Sequence, residues 1–110
     1  MAVIVKTDGP SGLLKAIKDG IDKGSIETWS YDQQGDFTHT PDQWKNKAWL
    51  RPQIYQGELR LGILKPQGVN MSTVVYGVYH GRFIEMLLSH FDKSFLSASG
   101  TAAKTTPDNF

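Results

Sequence analysis

Residues 25–64, SIETWSYDQQGDFTHTPDQWKNKAWLRPQIYQGELRLGIL, read as two consecutive β-hairpins, and this stretch decides the architecture. In the first hairpin, residues 26–31 are rich in β-branched and aromatic side chains. Asp32-Gln33-Gln34-Gly35 then offers a type I turn with glycine at the position that needs positive φ. A glycine bulge there sets Tyr31 opposite Phe37. Counting outward from that register puts Glu27, Trp29, Tyr31, Phe37 and His39 on one face and Thr28, Ser30, Thr38 and Thr40 on the other. The first set is aromatic and the second hydroxylic, which predicts one packed face and one wet face.

In the second hairpin, Ala48, Leu50 and Ile54 alternate with Lys47, Trp49, Arg51 and Gln53, and Leu59, Leu61 and Ile63 alternate with Glu58, Arg60 and Gly62. The short connection Tyr55-Gln56-Gly57 keeps the two strands paired. Pro52 has no backbone donor, so its strand is expected at a sheet edge or irregular at that point. The exposed face of this hairpin then carries Lys47, Trp49, Arg51 and Arg60 together, with Lys45 and Lys65 near its ends.

Outward from the hairpins, residues 2–6 form a strand that stops at Thr7-Asp8-Gly9-Pro10. A helix over residues 11–23 buries Leu13, Leu14, Ile17 and Ile21 at helical spacing and is closed by Gly24. Thr40-Pro41 opens a single helical turn between the hairpins. Ser72 or Thr73 caps a second helix that runs to about Phe91, with Val75, Tyr76, Tyr79, Phe83, Met86 and Leu87 in its apolar stripe. Residues 97–110 are mostly small and polar and are expected to form a disordered tail to a single domain spanning 1–96. The order β-α-β-β-β-β-α brings the strands in as hairpins, which excludes a doubly wound parallel sheet. The predicted fold class is α+β: a two-layer sandwich with a mostly antiparallel sheet of about five strands and both helices on one face.

With 110 residues the chain is one domain by size. A net charge of +1 gives no global attraction to nucleic acid or to an anionic membrane, so any such attraction must be local. The absence of cysteine excludes a disulfide scaffold, thiolate catalysis and cysteine-ligated metals, and fits a reducing, cytoplasmic location. The sequence carries neither a signal-peptide pattern nor an apolar run approaching the roughly 20 residues of a membrane span.

Candidate chemistry is sparse. His80 and His90 lie nearly three turns apart on one helix and cannot share a metal ion, and His39 has no partner at ligand spacing, so neither a metal nor another cofactor is expected. His39 is expected to pack beside Trp29. Asp32 and Asp36 lack the alternating ligands of a calcium loop and read as turn aspartates, and Asp42 as a helix-start aspartate. No nucleophile elbow or serine-lysine motif is present, and Gly9-Pro10-Ser11-Gly12 lacks the lysine-serine/threonine ending of a phosphate loop. Gly77 and Gly81, four apart in the second helix, call for a packing reason, the simplest being close approach to a strand. A sharper version is a pocket lined by His39, Tyr76, Tyr79, His80 and Arg82.

The strongest functional candidate is the surface of Lys47, Trp49, Arg51 and Arg60. Residues 44–65 carry a net +4, five cations against Glu58, whereas residues 26–43 carry −4 through Glu27, Asp32, Asp36 and Asp42. Such a face suits a small, soluble, non-catalytic binding or regulatory protein that acts on a protein partner. The same face could instead stack a base and contact phosphates of RNA. It could also be no more than the wet side of the sheet, with its cations paired to the acidic hairpin. A small-ligand binder or enzyme built on the His/Tyr/Arg pocket is the third alternative. A homo-oligomer is open through an edge at residues 2–6 or 47–54.

Overall fold

The computed structural model describes residues 2–102 of the chain. Its elements are β1 (Ala2–Lys6), α1 (Pro10–Asp22), β2 (Trp29–Tyr31), β3 (Phe37–His39), β4 (Trp49–Tyr55), β5 (Glu58–Leu64), α2 (Thr73–Phe91) and β6 (Ser97–Gly100). All strand pairs are antiparallel in one open sheet of order β2-β3-β4-β5-β1-β6. The fold is α+β, with the two helices in a second layer on one face of the sheet.

Local chemistry explains the hairpins. Gly35 sits at φ 83°, the Asp32 carboxylate accepts from the amides of Gln34 (3.0 Å) and Asp36 (2.9 Å), and Tyr31 pairs with Phe37 as the bulged register requires. In the second hairpin the loop shortens to Gln56-Gly57, with Gly57 at φ 77°, and Tyr55 pairs with Glu58. Period-two alternation then sends Leu50, Leu59, Leu61 and Ile63 inward. They meet Val3 and Val5 of β1, Leu13 and Ile17 of α1, and Tyr79, Phe83 and Leu87 of α2 in one core. The Ser72 hydroxyl caps α2 by accepting from the amide of Val75 at 3.1 Å.

Three expectations change. The sheet has six strands rather than five: Ser97–Gly100, read as the start of a disordered tail, pairs with β1 from Ser97 opposite Lys6 to Gly100 opposite Val3. Residues 103–110 of that tail lie outside the described residues. The edge proposed for a second copy at residues 2–6 is closed, because β1 lies between β5 and β6. The expectation for Pro52 holds: β3 pairs with β4 only at Phe37–Leu50, so that side of β4 is unpaired beyond Leu50 among the described strands. Finally, Thr38 is buried rather than wet: the 40–48 segment folds back on it, and its hydroxyl bonds the Ala48 carbonyl, the Tyr79 hydroxyl and the Asn46 amide at 3.0–3.1 Å.

Candidate functional site

Because both helices lie on one side, the other face of the sheet has no layer over it among the described residues. Strand alternation and register set its rows. Trp49 stands beside Leu64, Gln53 beside Arg60 and then Ile4, and Tyr55 beside Glu58 and then Lys6. Trp49, Gln53, Tyr55, Arg60, Leu64 and Ile4 are all half-buried, and Arg51 is exposed.

The cations on this face are already engaged. Arg51 holds Asp36 in a two-pronged contact, Nε to Oδ1 at 3.0 Å and an Nη to Oδ2 at 2.8 Å, and Asp36 is almost fully buried. The Asp36 carboxylate raises the Arg51 pKa further. Arg60 grips Glu58 at 2.5–2.9 Å and sits over the Tyr55 ring, its Cζ 4.2 Å from the centroid, while Lys6 reaches the other Glu58 oxygen at 2.5 Å. Hydrogen bonds from Lys6 and Arg60 hold the Glu58 carboxyl below its ordinary range. Arg51 and Asp36 therefore link the basic segment to the acidic one across the hairpin boundary, and the surface between the ion pairs of this face is aromatic and aliphatic.

Of the four residues expected to share this surface, Trp49, Arg51 and Arg60 do. Lys47 precedes β4 and, with Lys65, lines a cavity of about 340 Å³ beside Met71 and Val75 at the start of α2. Lys47 and Lys65 have no ion pair among the described residues. Tyr55, Ile4 and Leu64 complete the face. Tyr55 was readable, since the alternation Trp49, Arg51, Gln53 continues to it if the loop is only two residues. Ile4 was not, because its place depends on the long-range pairing of β1 with β5.

The second candidate, a pocket of His39, Tyr76, Tyr79, His80 and Arg82, separates into two groups on opposite flanks of α2. His39 is buried beside Trp29, with ring centroids 4.7 Å apart, and its Nδ1 meets the Thr28 carbonyl at 2.7 Å. It forms the floor of a 590 Å³ cleft whose rim carries Trp44, Arg82 and Glu85, the last two bonded to each other at 3.2 Å. Tyr79 is occupied by Thr38 and by the Trp44 carbonyl. On the other flank, His80 stacks on Tyr76 (4.5 Å, 11° between planes), places Nδ1 2.7 Å from the Tyr76 carbonyl and packs against Gly100. Its Nε2 is buried without a hydrogen-bond partner among the described residues, and burial pushes its pKa down to about 4. No three histidines or carboxylates cluster in a way that could hold a metal among the described residues.

Fold and site together define the class: an open-faced two-layer α+β sandwich with a charge-compensated aromatic face. Compared with known proteins, the chain matches no family model, no curated protein and no solved structure. No helix among the described residues is long and apolar enough to cross a membrane.

Proposed function

We propose that this chain is a non-catalytic binding protein that engages a protein partner through the uncovered face of its sheet, centred on Trp49, Tyr55, Leu64 and Ile4. One observation carries the reading: both arginines of that face are held by carboxylates within the chain, so the face offers half-buried aromatic and aliphatic surface between ion pairs. A phosphate backbone is held by cations free to replace its counterions. A protein surface is held by aromatic anchors in a desolvated patch, where tryptophan, tyrosine and arginine dominate the energetics.

Trp49→Ala is the test. The side chain is not part of the packed core, so the variant keeps the far-UV spectrum and cooperative melting of the parent. A partner recovered by the parent from its native cell is lost by the variant, and its hydrogen-exchange footprint on the parent falls on β4 and β5. Recovery of the same partner by both proteins overturns the assignment of this face. Binding of single-stranded RNA whose affinity falls steeply with salt would replace the protein partner by a nucleic acid.

A further inference from the structure

Among the described residues, the sheet edge at β6 and the helix beside it present a second uncovered surface, independent of the open face. In an antiparallel ladder, residues turn their backbone groups alternately toward and away from the neighbouring strand. The Thr101 amide donates to the Ala2 carbonyl at 3.0 Å, so in β6 residues 97, 99 and 101 face β1, and Ala98 and Gly100 turn their N–H and C=O groups outward. Apart from its four-residue length, this edge carries no blocking side chain: Ser97–Gly100 contains no charge and no proline, and the preceding Leu96 is 82% exposed.

Under the same edge, α2 packs against β1 and β6 and carries a second apolar stripe on its outer side. Val74, Gly77, Gly81, Ile84 and Leu88 follow one another at alternating intervals of three and four, which places them on one side of a helix. Val74 is 63% and Leu88 57% exposed. A Cβ at Gly77 or Gly81 would meet nothing within 4 Å, so close packing inside the monomer is not what these glycines serve. Around the helix the stripe adjoins His80, whose side chain packs on Gly100, so it lies toward the β6 edge.

We propose that the occupant of both surfaces is a second copy of this chain, related by a two-fold axis at Ser99. Antiparallel pairing of β6 with the partner's β6 about that axis sets Ala98 opposite the partner's Gly100, so the outward groups of both residues satisfy one another in the two copies. The helix layer fits the same operation. The axis runs perpendicular to the sheet at β6, so both α2 helices lie on the same face of the joined sheet with their stripes turned toward each other. Gly77 and Gly81 then let the two α2 backbones approach across stripes that carry no charge.

Sedimentation equilibrium of the full chain, with Ala98→Pro and Gly81→Gln, tests this. Ala98→Pro removes only an outward N–H and leaves the β1 ladder whole. Gly81→Gln adds a side chain where the monomer has open space, and glutamine is the better helix former, so the monomer melts at a higher temperature while the dimer weakens. The parent is expected to dimerise reversibly, and each variant to raise the dimer dissociation constant by about ten-fold or more. A parent that stays monomeric at its highest soluble concentration overturns the proposal, as does a dimer left undiminished by Gly81→Gln.

Discussion

His80 concentrates more consequence than any other single side chain. Its Nδ1–H donates to the Tyr76 carbonyl, which fixes the neutral tautomer and leaves Nε2 as a bare acceptor in the core. A proton arriving at Nε2 finds no hydrogen-bond acceptor among the described residues. The folded pKa of about 4 lies below the ordinary 6.5, so as the pH falls through this window the unfolded chain binds the proton first and stability declines. At about 1.4 kcal/mol per pH unit the loss approaches roughly 3 kcal/mol and levels off near pH 4. His39, lowered chiefly by burial, adds to the decline in the same direction. Urea unfolding of the parent and His80→Gln between pH 4 and 7.5 should show that the variant has lost most of the slope. Equal slopes would place the buried proton site elsewhere. Sequence could pair His39 with Trp29, because the hairpin register sets them opposite each other. It could not place His80, because the wall that buries this ring includes Gly100, in a strand with no sequence signature.

Among the elements, legibility followed locality. The two hairpins, both helices and the Ser72 cap rest on contacts within a few residues, and period and turn chemistry found them. Strand β6 rests on neither: Ser-Ala-Ser-Gly has weak strand preference, and β1 recruits it by offering an otherwise open edge some ninety residues away in sequence. The junction of the hairpins lies between these extremes. Opposite charges on them were visible as composition, but the register that brings Arg51 to Asp36 was not. That contact should matter, because β3 and β4 share only the Phe37–Leu50 pair. Arg51→Met removes both donors from a nearly buried carboxylate and should cost about 1–3 kcal/mol. Adding Asp36→Asn removes the stranded charge and should recover part of that loss, so denaturant midpoints of the two single variants and the double variant measure the coupling. A double variant as unstable as the summed singles would mean that Arg51 and Asp36 do not act as a pair.

For the molecule as a whole, the decisive arrangement is the return of the chain to its start. β1 is the first strand in sequence yet lies fifth from one edge of the sheet's six and second from the other, holding β5 on one side and β6 on the other. The described ends consequently meet: the Ala2 amide donates to the Thr101 hydroxyl at 2.7 Å, and the Thr101 amide donates to the Ala2 carbonyl. Sequence could count the strands of the hairpins, but it could not order β1 among them, because a central and an edge strand of five apolar-rich residues look alike. Closed ends make a prediction of their own. A chain joined from residue 102 to residue 2 by a short glycine-serine linker and reopened between Gln67 and Gly68 keeps every strand pair, because residues 67–70 are exposed and belong to no helix or strand. It should fold to the same sheet, with an amide spectrum differing from the parent only near the new joint and the new ends. It should also melt cooperatively in a single transition. The order of synthesis is then immaterial to the fold, and the determinant is the set of pairings that β1 makes. Failure of this permutant, in contrast, would mean that β1 must be available before the hairpins close, so that folding depends on the order in which strands are added to a sheet whose native contacts are unchanged.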